Sequence, residues 1–361
     1  MISGYYGFGN CGDEAVLLAM VHCLKKLDPG VSIVVLSGNP QSTRELYSVG
    51  AVNRWNPFAV AIELLTCRLL ISGGGSLLQD VTSTKSLRYY LSIINMAALF
   101  RKRVMIYGQG IGPLTQGKNR VRVSKAMNRC HVITVRDKNS AGLLRELGVT
   151  REIQITCDPV MALHPRGYDD VEVGQISQDL GEKRIKARKL LMVSVRHWND
   201  DIHIAPVAEL LDIQARRGWD VLLVPAHYPD DMETLSSVSR LMTERPRCLD
   251  RCLDAHEFIK LTARADMVFS MRLHGLICAF AAGTPMLGLS YDPKVDAFME
   301  QAGLGRYCLH FDSFDSKSAE ILMSELEDLP PQLVHDLEER RKAMRDMAWE
   351  TARKANAGRQ V

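Results

Sequence analysis

Short apolar runs alternate with helical patterns along most of this chain, and that alternation constrains the fold more than any other feature. Ala15–Leu27, for example, shows the periodicity of a helix between two apolar runs. Strands that alternate with helices form parallel sheets covered by helices on both faces. We therefore predict an α/β protein with strands at Ile2–Gly4, Ser32–Leu36, Leu69–Ser72, Val104–Tyr107, His131–Val135, Gln154–Thr156, Leu190–Val195, Val221–Val224, Met267–Ser270 and Met286–Ser290.

The alternation lapses once, between His164 and Arg188, where the sequence becomes polar and charged. A length of 361 residues suits two domains of ordinary size. The two domains are expected to be Rossmann-like and to face a cleft, as in the GT-B architecture. The predicted bounds are an N-terminal domain at residues 1–165, a linker at 166–188, a C-terminal domain at 189–330 and a helical segment at 331–361.

The composition is that of a soluble globular protein, with 46% apolar and 24% charged residues. A net charge of +3 gives no argument for nucleic acid, and no such partner is expected. The nine cysteines are scattered, so we expect them to be reduced in a cytoplasmic protein. No apolar run has the roughly 20 residues that span a bilayer, and the strand-like start predicts no signal peptide. The dispersed histidines match no metal-ligand spacing, so neither a metal nor a cofactor is expected.

The stretch Met267–Asp296 is the strongest candidate for a site. Arg272 and His274 follow an apolar strand directly, where a helix begins. Open α/β sheets bind ligands at the carboxyl ends of their strands, and a helix N-terminus favours an anion. An arginine grips phosphate or carboxylate in a two-point fork, and a histidine can move a proton near neutral pH. The alternative is structural, with Arg272 bonded to backbone and His274 capping the helix.

Three further cations follow predicted strands. Lys294 could add a third positive charge to the site, or could simply be solvated. Arg196 ends the first strand of the second domain, and its alternative is a surface pair or a hydrogen-bonded core residue. Arg136 ends a strand of the first domain, and its alternative is an ion pair with Asp137 or Glu146.

Two glycine-rich turns also follow strands in the first domain. The first, Gly7–Asp13, contains Asn10 and Asp13; the second contains Gly73, Gly74 and Gly75. Glycine lets a backbone approach a ligand closely. The alternatives are a tight turn capped by Asp13 and a strand-to-helix turn after Ser72, each without a ligand.

An ordered set of motifs runs through nearly the whole chain. The motifs are GFGNCGDE at residues 7–14, ISGGGSLLQD at 71–80, YGQGIGP at 107–113, VRDKNS at 135–140, Asp158-Pro159, MRLHG at 271–275 and YDPKV at 291–295. With this set the sequence resembles the polysaccharide pyruvyl transferase family, and the resemblance is closest to the branch called CsaB.

The resemblance implies a GT-B-like fold without metal, phosphoenolpyruvate as the donor, and a sugar that receives a 4,6-linked pyruvate ketal. For the CsaB-type branch it implies N-acetylmannosamine on a lipid-linked cell-wall precursor, and a role in anchoring S-layer proteins. Arg136, Arg272, His274 and Lys294 match the residues that the family uses around phosphoenolpyruvate. We expect His274 to act as the general acid, Arg136 to reach the donor from the first domain, and the glycine-rich turns to meet the acceptor.

Two other functions stay open. One is a glycosyltransferase that uses a nucleotide sugar, with Asp292 or Asp296 gripping its ribose; the other is a non-catalytic module that binds a sugar or an anion. A lipid-linked acceptor implies work at the cytoplasmic face of the membrane. The basic C-terminal helix is one candidate for peripheral contact there, although a solvated or packed helix is the simpler interpretation. The sequence leaves the oligomeric state open, a homo-oligomer included.

Overall fold

The computed structural model describes residues 1–81, 83–163 and 189–360. The chain forms two compact units. Unit 1 comprises Met1–Phe8, Asp13–Leu163 and Ala343–Val361, and unit 2 comprises Gly9–Gly12 and His164–Lys342. The predicted linker, residues 166–188, lies outside the described residues. The domain bounds drawn from the sequence stay predictions.

Unit 1 is built on an eight-stranded sheet in which every pairing is parallel. The strand order is β3-β2-β1-β4-β6-β7-β8, and β5 pairs with β6. The strands are β1 (Ile2–Tyr6), β2 (Val34–Ser37), β3 (Gly50–Asn53), β4 (Leu69–Ser72), β5 (Gly75–Leu78), β6 (Arg103–Ile111), β7 (Val132–Val135) and β8 (Ile153–Ile155).

Helices connect these strands. They are α1 (Cys11–Leu27), α2 (Pro40–Tyr47), α3 (Pro57–Thr66), α4 (Thr84–Leu99), α5 (Gly117–Met127) and α6 (Lys138–Glu146), with a 3-10 turn at Pro159–Ala162. Several begin with a side-chain cap, as where the Asn56 side chain accepts a hydrogen bond from the Ala59 amide at the start of α3.

Unit 2 is built on a six-stranded parallel sheet in the order β11-β10-β9-β12-β13-β14. Its strands are β9 (Leu190–Ser194), β10 (Asp220–Leu223), β11 (Arg247–Cys248), β12 (Met267–Ser270), β13 (Met286–Ser290) and β14 (Cys308–His310). Its helices are α7 (Ile204–Arg216), α8 (Met232–Leu241), α9 (Ala255–Arg264), α10 (Leu273–Ala282), α11 (Pro293–Ala302) and α12 (Ser316–Glu327), with 3-10 turns at Gly305–Tyr307 and Phe311–Ser313.

The central strands of both sheets are buried along their whole length. Every residue of β4, β9, β12 and β13 is buried. Such strands read as continuous apolar runs because helices cover both faces of a parallel sheet. This confirms the predicted α/β class, with one doubly wound parallel sheet in each unit.

The predicted C-terminal helix forms as α13 (Pro331–Gln360). In unit 2 its Arg341 donates from Nε to the carbonyl of Phe280 at 2.7 Å. In unit 1 the hydroxyls of Thr351 and Thr156 lie 2.8 Å apart. Among the described residues, no helix combines the length and the apolar character that crossing a bilayer requires.

Two local predictions were wrong. The strand expected at Val104–Tyr107 continues to Ile111, because Gln109 and Ile111 keep pairing with neighbouring strands. The turn after Ser72 does not lead into a helix, since the chain enters strand β5 at Gly75 and α4 begins only at Thr84. Glycine has a low propensity for strands, so the sequence pattern does not predict a strand that begins with glycine.

Candidate active site

The central element of the candidate site is the junction between β12 and α10. The strand ends at Ser270, and Arg272 is the N-cap residue of a helix that begins at Leu273. Ser270 donates from its hydroxyl to the carbonyl of Arg272 at 2.9 Å, which fixes the turn. The first amides of a helix have no intrahelical acceptor, so this junction offers N–H groups and a positive dipole end to an anion.

Arg272 is held by a carboxylate that sequence reasoning did not assign to the site. Its Nε donates to Oδ2 of Asp231 at 3.2 Å, and its Nη2 donates to Oδ1 of the same group. Asp231 is 1% exposed and also accepts from the amides of Ala226 and His227, at 3.1 and 2.9 Å. The guanidinium is therefore fixed in orientation, with one edge on Asp231. The predicted alternative, a bond from Arg272 to backbone, is not what fixes this side chain.

His274 follows in the first turn of α10 and is half-buried. The segment Gly9–Gly12, which belongs to unit 2, packs here: the Cys11 amide donates to the carbonyl of Ala226 at 2.8 Å. A Cβ atom on Gly12 would clash with the ring of His274. Gly12 thus lets the start of α1 approach the imidazole closely and limits where the ring can lie.

Lys294 lies in the first turn of α11, after strand β13. Its Nζ is 2.9 Å from Oδ2 of Asp292 and 5.5 Å from the centroid of the Tyr291 ring. The side chain is 31% exposed. Lys294 is therefore tethered rather than freely solvated, and it keeps access to solvent and to a ligand.

Arg196 follows strand β9 and contacts the same tyrosine. Its guanidinium carbon is 5.2 Å from the centroid of the Tyr291 ring, and its Nη1 donates to the Tyr291 hydroxyl at 3.3 Å. Tyr291 thus contacts two cations, Arg196 and Lys294. A cation over an aromatic face is stabilised by the ring quadrupole, so the ring helps to position both charges.

The sheet topology explains why these side chains gather. Ser270 pairs with Ser194 of β9 on one side and with Gly288 of β13 on the other. β10, which precedes Asp231, pairs with β9 in turn. Arg196, Arg272 and Lys294 therefore follow three adjacent parallel strands, and the carboxyl ends of such strands share one edge of the sheet.

A cavity of about 220 Å³ opens in unit 2 where β13 leads into α11. Its lining includes Trp198, Tyr291, Asp292, Asp296 and His310. The rings of Trp198 and Tyr291 are 4.7 Å apart, and Asp296 accepts from the hydroxyl of Ser290 at 2.6 Å. Carboxylates repel anions, so the cavity suits a neutral group that carries hydroxyls more than a second phosphate.

Arg136 lies in unit 1 and is 6% exposed. Its Nη2 donates to the hydroxyl of Ser76 at 2.9 Å, while Asp137 and Asp158 lie 3.5 and 3.6 Å from its Nε and Nη1. The predicted alternative of an ion pair with Asp137 is confirmed. The one with Glu146 is wrong, because Glu146 pairs with Arg120 at 2.6 Å. Arg136 as a donor ligand stays a prediction.

The glycine-rich turns divide between the two units. In unit 1, Gly75 has φ +86° and a Cβ there would lie 2.8 Å from Oδ1 of Asp13, so glycine is required. Gly73 and Gly74 lead into this position from β4. In unit 2, Asn10 pairs with His227 in an antiparallel bridge, and its side chain accepts from the Gly12 amide at 3.1 Å. Asp13 therefore lies inside the first turn of α1 and is not its cap.

Two acidic residues within the recognised motifs have structural roles. Asp80 accepts from the amides of Thr115 and Gln116, at 2.8 and 3.0 Å, and from the Asn119 side chain at 3.0 Å. Burial acts to raise the pKa of Asp80, but these hydrogen bonds outweigh it and lower the pKa. Glu14 is buried, and burial raises its pKa. Hydrogen bonds from the Tyr47 hydroxyl and the Gly7 amide act to lower the pKa, but burial outweighs them.

The structure thus brings Arg272, His274, Lys294 and Arg196 to one sheet edge of unit 2, and Asp13, Gly75 and Arg136 to strand ends of unit 1. Sequence reasoning missed Asp231, and it placed Gly12 in a glycine-rich turn without its contact to His274. The signal for Asp231 was its place in a loop that follows a buried strand. Within the described residues, no group of three or more His, Cys, Asp or Glu side chains is arranged to hold a metal ion.

Comparison with known families identifies one match, which covers residues 10–293: the family described as polysaccharide pyruvyl transferase. The matched range contains nine of the ten predicted site residues, and the tenth, Lys294, follows its last residue directly. No curated protein sequence matches the chain significantly.

Solved structures show which fold this is. The chain is similar to a putative UDP-N-acetylglucosamine 2-epimerase from Listeria monocytogenes, at 12% identity and TM-score 0.67, covering 99% of this chain and 94% of that one. It is also similar to HepE from Anabaena in complex with UDP, at 13% identity and TM-score 0.64, covering 99% of this chain and 98% of that one. A third similar structure is MnaA from S. aureus with UDP, at 14% identity and TM-score 0.65, covering 97% of this chain and 93% of that one. These likenesses establish a GT-B-like fold.

Proposed function

Since this chain belongs to the polysaccharide pyruvyl transferase family, we propose that it transfers the enolpyruvyl group of phosphoenolpyruvate to a sugar as a 4,6-linked ketal. One observation carries the proposal. Arg272, fixed by buried Asp231, and His274 lie together at the amino end of α10, at the carboxyl edge of a parallel sheet. That arrangement combines an anion grip with a proton donor.

The donor has two anionic groups, a phosphate and a carboxylate. Arg272 and the N-terminal amides of α10 would bind one of them, and Lys294 would bind the other. Tyr291 and Asp292 hold Lys294 from two sides, so its ammonium is positioned before the donor arrives. A preorganised charge is worth more to catalysis than a mobile one.

The chemistry requires a proton on the donor's methylene carbon. His274, as the imidazolium, gives this proton, and C2 becomes electrophilic. The first sugar hydroxyl adds to C2 and loses its proton, which restores the imidazolium. The C2–O bond to the phosphate then breaks, the second hydroxyl adds to C2, and its proton goes to the departing phosphate, which leaves as inorganic phosphate and closes the ketal. The cations stabilise the phosphate as charge builds on its leaving oxygen.

The acceptor we propose is N-acetylmannosamine on a lipid-linked cell-wall precursor, as in the CsaB-type branch, with S-layer anchoring as the purpose of the modification. Asn10, Asp13 and Gly73–Gly75 are the proposed acceptor contacts. The lipid-linked acceptor places the reaction at the cytoplasmic face of the membrane. No cofactor beyond the donor is proposed.

Incubation of the protein with phosphoenolpyruvate and a synthetic N-acetylmannosaminyl acceptor tests the proposal. We expect phosphate release and a mass gain on the acceptor equal to one pyruvate ketal. His274→Ala should abolish turnover and keep donor binding, and Arg272→Ala should weaken donor binding. His335→Ala, at an exposed histidine of α13, is the matched control. Full activity in His274→Ala, or no reaction with any N-acetylmannosaminyl acceptor, contradicts the proposal.

A nucleotide-sugar glycosyltransferase is the second candidate, because Asp292 and Asp296 line a cavity at the start of α11. HepE and MnaA, which share the fold, were solved with UDP. A thermal shift with UDP or GDP but not with phosphoenolpyruvate favours this candidate. The third candidate, a non-catalytic sugar or anion module, is favoured if acceptors and donor bind and no acceptor is ever modified.

A further inference from the structure

Helix α3 in unit 1 exposes an apolar stripe. Phe58, Ile62 and Leu65 are 81%, 60% and 55% exposed, and their spacing of four and three residues puts them on one face of the helix. The opposite face packs into unit 1 through Val60 and Leu64, which are 2% and 0% exposed. The helix is therefore apolar on both faces, although only one of them is buried in this chain.

A basic groove lies next to this stripe. It has a volume of about 590 Å³, and its cations are Arg101, Lys102, Arg129 and Arg151, together with His131. None of the nine described residues that line it is acidic. Its other members are polar asparagines and the end of α4, where Leu99 is 76% exposed. A groove of this composition attracts anions.

The stripe and the groove are joined physically. Lys102 donates from Nζ to the carbonyl of Leu65, in the last turn of α3, at 2.7 Å. Leu99 belongs both to the exposed apolar residues and to the lining of the groove. The groove lies where β6 and β7 begin, at the amino-terminal edge of the sheet, and so at the opposite edge from Gly75 and Arg136.

We propose that this surface, Phe58–Leu65 of α3 with the basic groove, docks unit 1 on an anionic membrane. Large exposed apolar residues beside cations mark interaction sites, and the combination fits acyl chains beneath anionic headgroups. Trp55, which is 64% exposed and comes two residues before α3, adds an exposed aromatic ring beyond the start of the stripe. Charge complementarity selects an anionic lipid surface, since the groove brings four arginine or lysine side chains to one place.

The C-terminal helix is a weaker candidate for this contact. Two of its cations are paired with carboxylates: Arg353 lies 3.2 Å from Glu350, and Arg359 lies 2.6 Å from Asp28. The cations of the groove instead donate mainly to backbone carbonyls and to asparagine, as Arg129 does to Asn95 at 2.7 Å. Their positive charge therefore remains available to a membrane.

Vesicle sedimentation tests the proposal with the full chain and without any substrate. We expect binding to vesicles of equimolar phosphatidylcholine and phosphatidylglycerol, weaker binding at high salt, and little binding to phosphatidylcholine alone. Trp55 supplies a second readout. Its fluorescence should shift to the blue on the anionic vesicles, and Trp55→Phe should lose that shift.

Two triple variants probe the two parts of the surface. Phe58→Ser/Ile62→Ser/Leu65→Ser and Arg101→Gln/Arg129→Gln/Arg151→Gln should each reduce binding at least tenfold. The matched controls are Leu241→Ser/Ile321→Ser, at exposed apolar residues of unit 2, and Arg240→Gln/Arg245→Gln/Lys317→Gln, at exposed cations of unit 2. Both controls should bind as the unaltered protein does. Donor binding should be unchanged in all four, which separates this proposal from that for the active site.

Three results overturn the proposal. The first is an unaltered protein that does not bind the anionic vesicles. The second is a loss of vesicle binding in the control variants that equals the loss in the two triple variants of the surface. The third is an unaltered protein that forms a dimer and does not bind vesicles, when Phe58→Ser/Ile62→Ser/Leu65→Ser dissociates that dimer. This result would assign the stripe to contact with a second copy of the chain. If a triple variant fails to fold, Phe58→Ser and Arg101→Gln alone, at two exposed residues, give the same test.

Discussion

Arg272 donates from Nε to Oδ2 of Asp231 at 3.2 Å, although 41 residues separate them in the sequence. The carboxylate is 1% exposed, whereas the arginine side chain keeps 14% exposure. Asp231 therefore serves as a fixed anchor, and the Arg272 side chain is the member of the pair that solvent or a ligand can reach. A guanidinium anchored along one edge can still present its remaining N–H groups to an anion.

We expect Asp231→Asn to lower stability and to loosen Arg272. The substitution removes the buried charge and turns one acceptor into a donor that faces the amides of Ala226 and His227. Loss of such partners costs about 1–3 kcal/mol of unfolding free energy, which chemical denaturation measures. Asp230→Asn, at a 64% exposed neighbour, is the control and should change stability by less than about 0.5 kcal/mol. Equal effects from the two variants would argue against an anchoring role.

Gly12→Ala should slow turnover through His274 without touching the donor. The new methyl group overlaps the imidazole ring, so the ring must move. A displacement of about 1 Å in a catalytic group can cost about 100-fold in rate, and we expect kcat to fall by roughly 10- to 100-fold with little change in KM. Gly142→Ala, in helix α6 with nothing within 4 Å of the new methyl, is the control. Unchanged kcat in Gly12→Ala excludes a tightly positioned His274.

Lys294→Met should weaken donor binding more than it slows chemistry. It removes one positive charge from the proposed donor site and also the partner of Asp292, whose carboxylate would then repel the donor. We expect the KM for phosphoenolpyruvate to rise at least tenfold, equivalent to about 1.4 kcal/mol. Steady-state kinetics at varied donor concentration measure this effect. Lys317→Met, at an exposed lysine of α12, is the control, and a normal KM in Lys294→Met would remove this residue from the site.

Asp80 should stabilise the fold in a pH-dependent manner. Hydrogen bonds from Thr115, Gln116 and Asn119 lower its pKa in the folded state below the unfolded value of about 4. Its contribution is therefore fully present above about pH 4 and is lost as the pH falls through the folded-state pKa. Asp80→Asn should be less stable than the unaltered protein at neutral pH, and the difference should shrink in acid. A difference that stays constant down to the acid transition contradicts this assignment.

Continuous apolar runs gave the most accurate sequence predictions. Strands β4, β12 and β13 begin and end where expected, because each is buried on both faces and therefore appears as a short continuous apolar run. The position of Arg272 and His274 at a strand's carboxyl end followed from the same pattern. Strand β5 was missed because glycine opens it and because only its pairing with β6 makes it a strand.

The sequence by itself determined the α/β class, the ends of β4, β12 and β13, and the cationic residues that follow buried strands. All of these depend on local periodicity and on residue type, which a chain carries without being folded. Only the tertiary structure decided that Asp231 anchors Arg272, that Gly12 packs on His274 and that Tyr291 contacts both Arg196 and Lys294. These contacts join residues that are distant in sequence or depend on side-chain directions, and parallel sheet pairing creates them by bringing separate strand ends to one edge.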